Sequence, residues 1–437
     1  MNIPKTFEDK VITKSKYIVV FRKEDKIVLF HKLTLDKVYG NLSLLKFFNK
    51  FDRRVPVSTL SSTEKIAAYK LYKSNILVEK EANYEKIIHD TMKDRPFNIY
   101  FMYIYTTDRC NFDCKYCYIE KRFKRKHIFH DLNDEKMKRG VDLFLNYAST
   151  SNESPTIVFY GGEPLLNKHV LYDTLDYIEE NKNKIRGNQK LRLNLVTNGS
   201  LLDDITINKI VDFDIRTAIS IDGPKEIHDS VRVYKSGRGT YDQVINNYYK
   251  LKKTGTKHLY VSLTVGSHNI GRLKEICEFV ATKLEPRGVK FNFISPINAH
   301  GNPYAFDINA NINKIFDAFD VLRDYGIFED TIGRKLEFFI KKISIQNGTP
   351  ANGSQITLFP DGSIGPCEGL PDERFRVKLD KVTRLEDSRL FREWNKITVL
   401  DKPECAKCPA IGLCGGGHPA DAFIKTSSIL HAAPTSC

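Results

Sequence analysis

The sequence predicts an α/β protein: a partial (β/α)6 TIM-like barrel, preceded by a winged-helix-like module and followed by a cysteine-rich extension. Three observations carry this. Six nearly continuous apolar runs, at 97–107, 156–160, 191–199, 215–223, 258–265 and 290–297, alternate with helical stretches such as "VLYDTLDYIEENKNK" and "YDQVINNYYKLKKTG". Strands apolar on both faces belong to a parallel sheet covered by helices. Before residue 90 the pattern is two strand-like runs and short amphipathic helices; after about 350 it is rich in Gly, Pro and Cys. With 437 residues the chain has room for two or three domains, and we place them at 1–92, 93–310 and 311–437.

In the first domain, "KYIVVFRKEDKIVLFHKL" gives two strands around a charged turn. "SLLKFFNKF" and "STEKIAAYKLYKSN" have helical apolar spacing, with Ser, Thr and Asn suited to caps and ends, and "ILVEKE" returns as a strand. Winged-helix-like modules of this order bind DNA or accept a peptide along a strand edge.

Six βα units are too few to close an eight-stranded barrel, which leaves an opening for a large substrate. Chemistry in such barrels gathers at the C-terminal strand ends. "CNFDCKYC" (110–117) follows strand one, "GGEP" (161–164) strand two, "TNGS" (197–200) strand three and "DGP" (222–224) strand four. In the tail, "FPDGSIGPC" reads as a hairpin ending in Cys367, and "CAKCPAIGLCGGGH" as a ligand-spaced loop. That part is expected to owe its fold to metal more than to an apolar core.

The formal net charge is +14, which favours an anionic partner. The lysines are dispersed, with one dense run, "KRFKRK" at 121–126, so a solvated basic surface is expected rather than nucleic-acid binding. No apolar run approaches the ~20 residues of a membrane span, and no apolar stretch follows a basic N-terminus. The expectation is a soluble, cytoplasmic protein. Nine cysteines without a signal peptide argue against a disulfide framework and for metal ligation. Cys277, alone in "LKEICEFVATKL", is a buried core residue.

Three thiolates in one loop, Cys110, Cys114 and Cys117, suit zinc if a fourth ligand is at hand. They also suit a [4Fe–4S] cube with one iron left open. CxxxCxxC after the first strand, with Tyr116 before the third cysteine, then GGEP, "TNGS" and "SIDGPKEIHDSVR" in order, resembles the radical S-adenosylmethionine (radical SAM) enzymes. The resemblance covers roughly residues 97–437. It implies a cluster on Cys110, Cys114 and Cys117 whose open iron binds S-adenosylmethionine, and a 5′-deoxyadenosyl radical that abstracts hydrogen from substrate. It further implies contacts to that cofactor from Tyr116, Gly161, Gly162, Glu163, Ser220, Asp222 and Arg232. Gly161-Gly162 admit a close backbone approach, Glu163 accepts from the ammonium group, and Arg232 suits a carboxylate. Asp222 also reads as part of a plain turn, and Arg232 as a surface ion pair.

The tail resembles the SPASM extension of peptide and protein maturases, which holds auxiliary iron–sulfur clusters. Gly362 to Cys367 and Cys405, Cys408 and Cys414 match its pattern, with Cys437 as the distal ligand. His418 stands where the pattern has cysteine, and no cysteine lies in "KKISIQNGTPANG" upstream. The resemblance implies one auxiliary [4Fe–4S] cluster on Cys405, Cys408, Cys414 and Cys437, with zinc as the alternative for four thiolates. A second site, altered or empty, is left with Cys367 and His418. Glu368 is a candidate general base.

The N-terminal module resembles the leader-recognition domain of ribosomal peptide maturases. The function implied is hydrogen abstraction from a side-chain carbon of a precursor peptide, forming a thioether, C–C or ether crosslink. The implied partners are a precursor peptide with its leader and an electron donor such as flavodoxin or ferredoxin. The alternatives are an anaerobic sulfatase-type maturase that forms formylglycine and, in another class, an iron–sulfur DNA-binding regulator, in which GGEP and Arg232 have no role.

Overall fold

The computed structural model describes residues 3–117, 128–185, 189–294, 302–345, 347, 353–370 and 372–433. Cys437 and the basic run at 121–126 lie outside the described residues. The chain forms two compact units: Met1–Asp94 with Lys335–Asn347 and Thr398–Gly416, and Arg95–Arg334 with Gly348–Ile397 and Gly417–Cys437.

In the first unit, β1 (Val11–Lys14) lies between β5 (Val55–Pro56) and β6 (Leu77–Val78), antiparallel to both. β2 (Ile18–Lys23), β3 (Lys26–His31) and β4 (Lys37–Asn41) form a separate antiparallel sheet with β3 in the middle. The β2–β3 turn is two residues, and Glu24 takes the left-handed φ of 57° that such tight hairpins require. Asn41 caps the helix Leu42–Asn49 by accepting from the Ser43 and Leu44 amides. Ser61 and Glu64 form a reciprocal box at the start of Ser62–Lys73. Phe7, Ile12, Leu29, Phe48, Phe51 and Leu71 are buried together as its core. The 405–414 loop belongs to this unit. The Gly412 amide donates to the Lys32 carbonyl at 3.1 Å, and a Cβ on Gly412 would stand 2.5 Å from that oxygen.

The second unit is built on a ten-stranded sheet. β7 (Phe101–Thr107), β8 (Thr156–Gly161), β9 (Arg192–Thr197), β10 (Arg216–Ser220), β11 (Leu259–Val265), β12 (Gly288–Phe293) and a short β13 (Phe328–Glu329) follow one another in space as in sequence, all parallel. The first six coincide with the apolar runs, and this is the expected open (β/α)6 barrel. β8 buries five of its six residues, as a strand covered on both faces must. Helices such as Asp134–Ala148 pack an apolar stripe on the sheet, here Met137, Val141, Phe144, Leu145 and Ala148.

β14 (Gln355–Leu358) joins the other edge, parallel to β7 with Leu358 opposite Ile104. β15 (Ser363–Gly365) and β16 (Val377–Lys378) follow antiparallel. The expected hairpin before Cys367 therefore extends the barrel sheet. Cys367, Leu370, Trp394 and Ala420 also give the tail a small apolar core of its own. Cys277 is fully buried, and no helix among the described residues is long and apolar enough to cross a membrane.

A Cβ on Gly140 would meet Leu358 Cδ2 at 2.7 Å, so the helix Asp134–Ala148 seats β14 through a residue with no side chain. Gly140→Val is expected to cost about 1–3 kcal/mol by overpacking, read as a lower urea midpoint at unchanged slope.

Candidate active site

β7 ends at Thr107 and the cysteine loop begins. The loop is held by backbone on two sides. The Asp113 and Lys115 amides donate to Val233 and Val231 carbonyls at 2.8 and 2.9 Å, and Cys117 N–H donates to Cys114 O at 2.9 Å. Phe112 is buried edge-to-face on Tyr234, centroids 5.1 Å apart. Cys110 Sγ accepts from the Phe112 amide at 3.5 Å and from Asn198 Nδ2 at 4.0 Å. Burial pushes the Cys110 thiol up, and the nearby Glu163 adds to that. Three thiols on one loop, one already receiving N–H donors, fit an iron–sulfur centre.

The GGEP segment is locked onto that loop. Gly162 N–H donates to Thr107 O at 3.0 Å and Glu163 N–H to Arg109 O at 2.8 Å. Gly161 has φ +148°, and its Cβ would lie 2.3 Å from Thr107 O; that of Gly162 would lie 2.1 Å from Arg109 O. In this structure the approach these glycines permit is of the chain to itself. Glu163 is buried, with Oε1 accepting from Thr197 Oγ1 at 2.6 Å and Leu165 N–H at 3.1 Å, and Oε2 from Asn198 N–H at 2.7 Å. An ionised carboxylate accepts about four hydrogen bonds, so Oε2 retains one position. Asn198 links this carboxylate to the cysteines through Asn111 Oδ1 at 2.9 Å.

Tyr116, Asp222 and Arg232 come together, fully or nearly buried. Asp222 Oδ2 accepts from Tyr116 O–H at 2.5 Å and Arg232 Nε at 2.8 Å; Oδ1 accepts from Arg232 Nη2 at 3.2 Å and Thr264 N–H at 2.9 Å. Burial alone would raise the Asp222 carboxyl, but the Arg232 charge and hydrogen bonds outweigh it and hold it below the usual range. Arg232 is thus in a buried pair, and Asp222 is more than a turn residue. Tyr116 stacks on His268 at 5.6 Å. Both His268 ring nitrogens are buried and without a partner among the described residues. Sequence reasoning missed His268; its position just past β11, a C-terminal strand end, was the available signal. Ser220 ends β10, half-buried, paired with Ser262 of β11.

In the tail, the second unit brings Cys367, Glu368 and His418 together. His418 Nε2 lies 4.0 Å from Cys367 Sγ and 3.2 Å from Glu368 Oε1. Burial raises the Glu368 carboxyl, but the adjacent His418, with Gln355, outweighs it and brings the group to about 2. Glu368 is a carboxylate at neutral pH. In the first unit, Cys405, Cys408 and Cys414 occupy consecutive turns. Cys408 N–H donates to Cys405 O at 3.0 Å, Cys408 Sγ accepts from Ala410 N–H at 3.4 Å, and Cys414 closes the short helix Ile411–Cys414. These thiols suit a second metal centre.

Burial pushes the Glu163 carboxyl up to about 7, opposed by its hydrogen bonds from Thr197, Asn198 and Leu165. The native state then holds a proton the unfolded chain has lost between its ordinary value of 4.5 and about 7. Stability from this residue is present below pH 4.5 and falls as pH rises through that window, by at most about 3 kcal/mol. Glu163→Gln is expected to flatten urea-denaturation stability across the window. Arg232→Met strands Asp222 as a buried, unpaired charge and is expected to cost about 3–5 kcal/mol. The Asp222→Asn/Arg232→Met pair should cost less than the two single changes together.

Residues 104–280 match the Radical SAM superfamily. An uncharacterized protein of Methanocaldococcus jannaschii is 28% identical over 190 residues, 44% of this chain and 61% of that one. A cysteine-type anaerobic sulfatase-maturating enzyme of Clostridium perfringens is 24% identical over 324 residues, 70% of this chain and 85% of that one. Among solved structures, Streptococcus suis SuiB bound to precursor peptide SuiA is similar with a TM-score of 0.59 at 15% identity, over 98% of this chain and 99% of that one.

Proposed function

We propose that the chain is a radical SAM enzyme, a reading supported by the match of residues 104–280 to the Radical SAM superfamily, and that it acts as a peptide maturase. It removes hydrogen from a side-chain carbon of a ribosomally made precursor peptide and leaves an intramolecular thioether, C–C or ether crosslink. The observation that carries this reading is a groove of about 390 Å³ on the β2–β3–β4 sheet, lined by Phe21, Ile27, Val28 and Tyr39 together with the basic Arg22, Lys23 and Lys26. Phe21 and Tyr39 are exposed there. The groove crosses all three strands; β2 and β4 are the edges of that sheet and are open to an added strand, and the apolar and basic lining beside them suits an extended acidic peptide with apolar anchors. The fold shared with peptide-bound SuiB spans this module as well as the barrel, which supports the same reading.

The chain's own residues have distinct tasks in it. Cys110, Cys114 and Cys117 would hold the [4Fe–4S] cluster. Glu163, through its remaining Oε2 position, would accept from the ammonium of S-adenosylmethionine. The Asp222–Arg232 pair fixes the Tyr116 ring, and Tyr116 with Ser220 would face the rest of that cofactor. When bound, cluster and cofactor supply one-electron cleavage of the sulfonium and so the hydrogen abstraction. Cys405, Cys408 and Cys414, with Cys437, would hold an auxiliary cluster. The net positive charge suits an acidic electron donor of the flavodoxin or ferredoxin kind. Formylglycine formation is the second reading, favoured by the similarity to the Clostridium perfringens enzyme.

Anaerobic reduction with S-adenosylmethionine and a candidate precursor peptide should yield 5′-deoxyadenosine and a peptide lighter by two hydrogens. Lys23→Glu/Lys26→Glu should weaken peptide binding roughly 5- to 30-fold while leaving 5′-deoxyadenosine formation without peptide unchanged. Oxidation of a sulfatase-derived cysteine peptide, with the precursor left untouched, would establish the second reading instead.

A further inference from the structure

Cys367, Glu368 and His418 are arranged differently from ligands of a cube. Donors to a four-iron cluster attach at separate corners and point away from one another. Here Sγ of Cys367, a carboxylate oxygen of Glu368 and a ring nitrogen of His418 all lie within 4.8 Å of one another. The separations of 4.0 Å (Sγ to Nε2) and 3.2 Å (Nε2 to Oε1) are close to the about 3.4–3.6 Å set by zinc–ligand bond lengths and tetrahedral angles. Nor is the trio a nucleophile, base and orienting acid in series. In such a relay, sulfur and carboxylate meet opposite nitrogens of the imidazole; here both meet Nε2.

Two of the donors are also supported from behind. Gln355, on β14, donates to Glu368 Oε2 at 2.7 Å and leaves Oε1 for the common point. Tyr105, on β7, donates to the Glu368 carbonyl at 3.0 Å. β7 and β14 are paired neighbours, so the carboxylate is mounted on the rigid sheet. Cys367 is walled by Leu370, Trp394 and Ala420. A Cβ on Gly369 would stand 2.7 Å from His418 Cε1, so only glycine leaves room for the ring. His418 Nδ1 accepts from the Ala420 amide at a long 3.3 Å. Metal on Nε2 places the proton on Nδ1 and gives up that weak contact.

We propose that Cys367, Glu368 and His418 form a mononuclear site for a zinc-class divalent ion. Thiolate, imidazole and carboxylate together select a borderline-soft metal, and three protein ligands leave a fourth position for water or a substrate donor. The site does not depend on the identity of the peptide or on its modification.

The test uses the full chain, loaded anaerobically with iron and sulfide so that the other cysteines are occupied, then desalted and titrated with zinc or cobalt alone. A single zinc is expected to remain per chain. Cobalt in its place should show tetrahedral visible bands and a sulfur-to-cobalt charge-transfer band that Cys367→Ser abolishes. Glu368→Gln, which keeps a partner for Gln355, and His418→Gln should each weaken binding at least about tenfold with iron content and far-ultraviolet circular dichroism unchanged. Zinc retention equal in the wild type and all three variants would overturn the proposal. So would a loss of several irons per chain in Cys367→Ser, which would put a cluster there.

Discussion

The Thr107 and Arg109 carbonyls accept from the Gly162 and Glu163 amides at 3.0 and 2.8 Å. This pairing sets the cysteine loop against the GGEP segment, and it exists only because two consecutive residues lack a side chain. A Cβ at either glycine would sit within 2.3 Å of a carbonyl oxygen, closer than any packed atoms allow. With the glycines in place, Glu163 reaches across to Thr197 and Asn198, and Asn198 reaches back to Asn111 and Cys110. Three consecutive strand ends thereby share one hydrogen-bonded network, and displacing any of them disturbs the others.

Two buried carboxylates in this region show how surroundings set charge. Glu163 is met by amides and a hydroxyl, and burial pushes it up to about 7. Asp222 is equally buried, yet the Arg232 guanidinium holds it below the usual carboxylate range. A fixed cation compensates the loss of water more fully than neutral dipoles do. Asp222 is therefore held toward its charged form beside Arg232 and also accepts from Tyr116, while Glu163 is poised to gain from an arriving cationic group.

The tail follows a related logic with different donors. Cys405, Cys408 and Cys414 belong to the unit that carries the N-terminal module, joined to its hairpin through Gly412 and Lys32. Cys367 and His418 belong to the unit built on the barrel sheet. The tail thus divides between two bodies of the fold, and in the second Cys367 has the His418 imidazole, in turn met by the Glu368 carboxylate, as its neighbour.

The six barrel strands were legible from apolar runs because a strand covered on both faces has little choice of composition. That short polar residues cap these helices was legible because such a side chain is a local remedy for unsatisfied amides; the structure assigns that role to Asn41 and Ser61. The thiol positions were legible because metal ligation requires cysteine at set spacings. β14 was not: its addition beside β7 joins residues some 250 apart in the chain, and a four-residue run with two apolar residues, Ile356 and Leu358, does not specify which edge it meets. Nor was the convergence of Glu368 with His418, the burial of Arg232 against Asp222, or the stacking of His268 on Tyr116. Sequence alone determined which side chains with chemical capacity stand at the strand ends, since that follows from local pattern. Only the tertiary structure decided which of them touch, because direction and distance between side chains from separate strands are set by sheet register and packing.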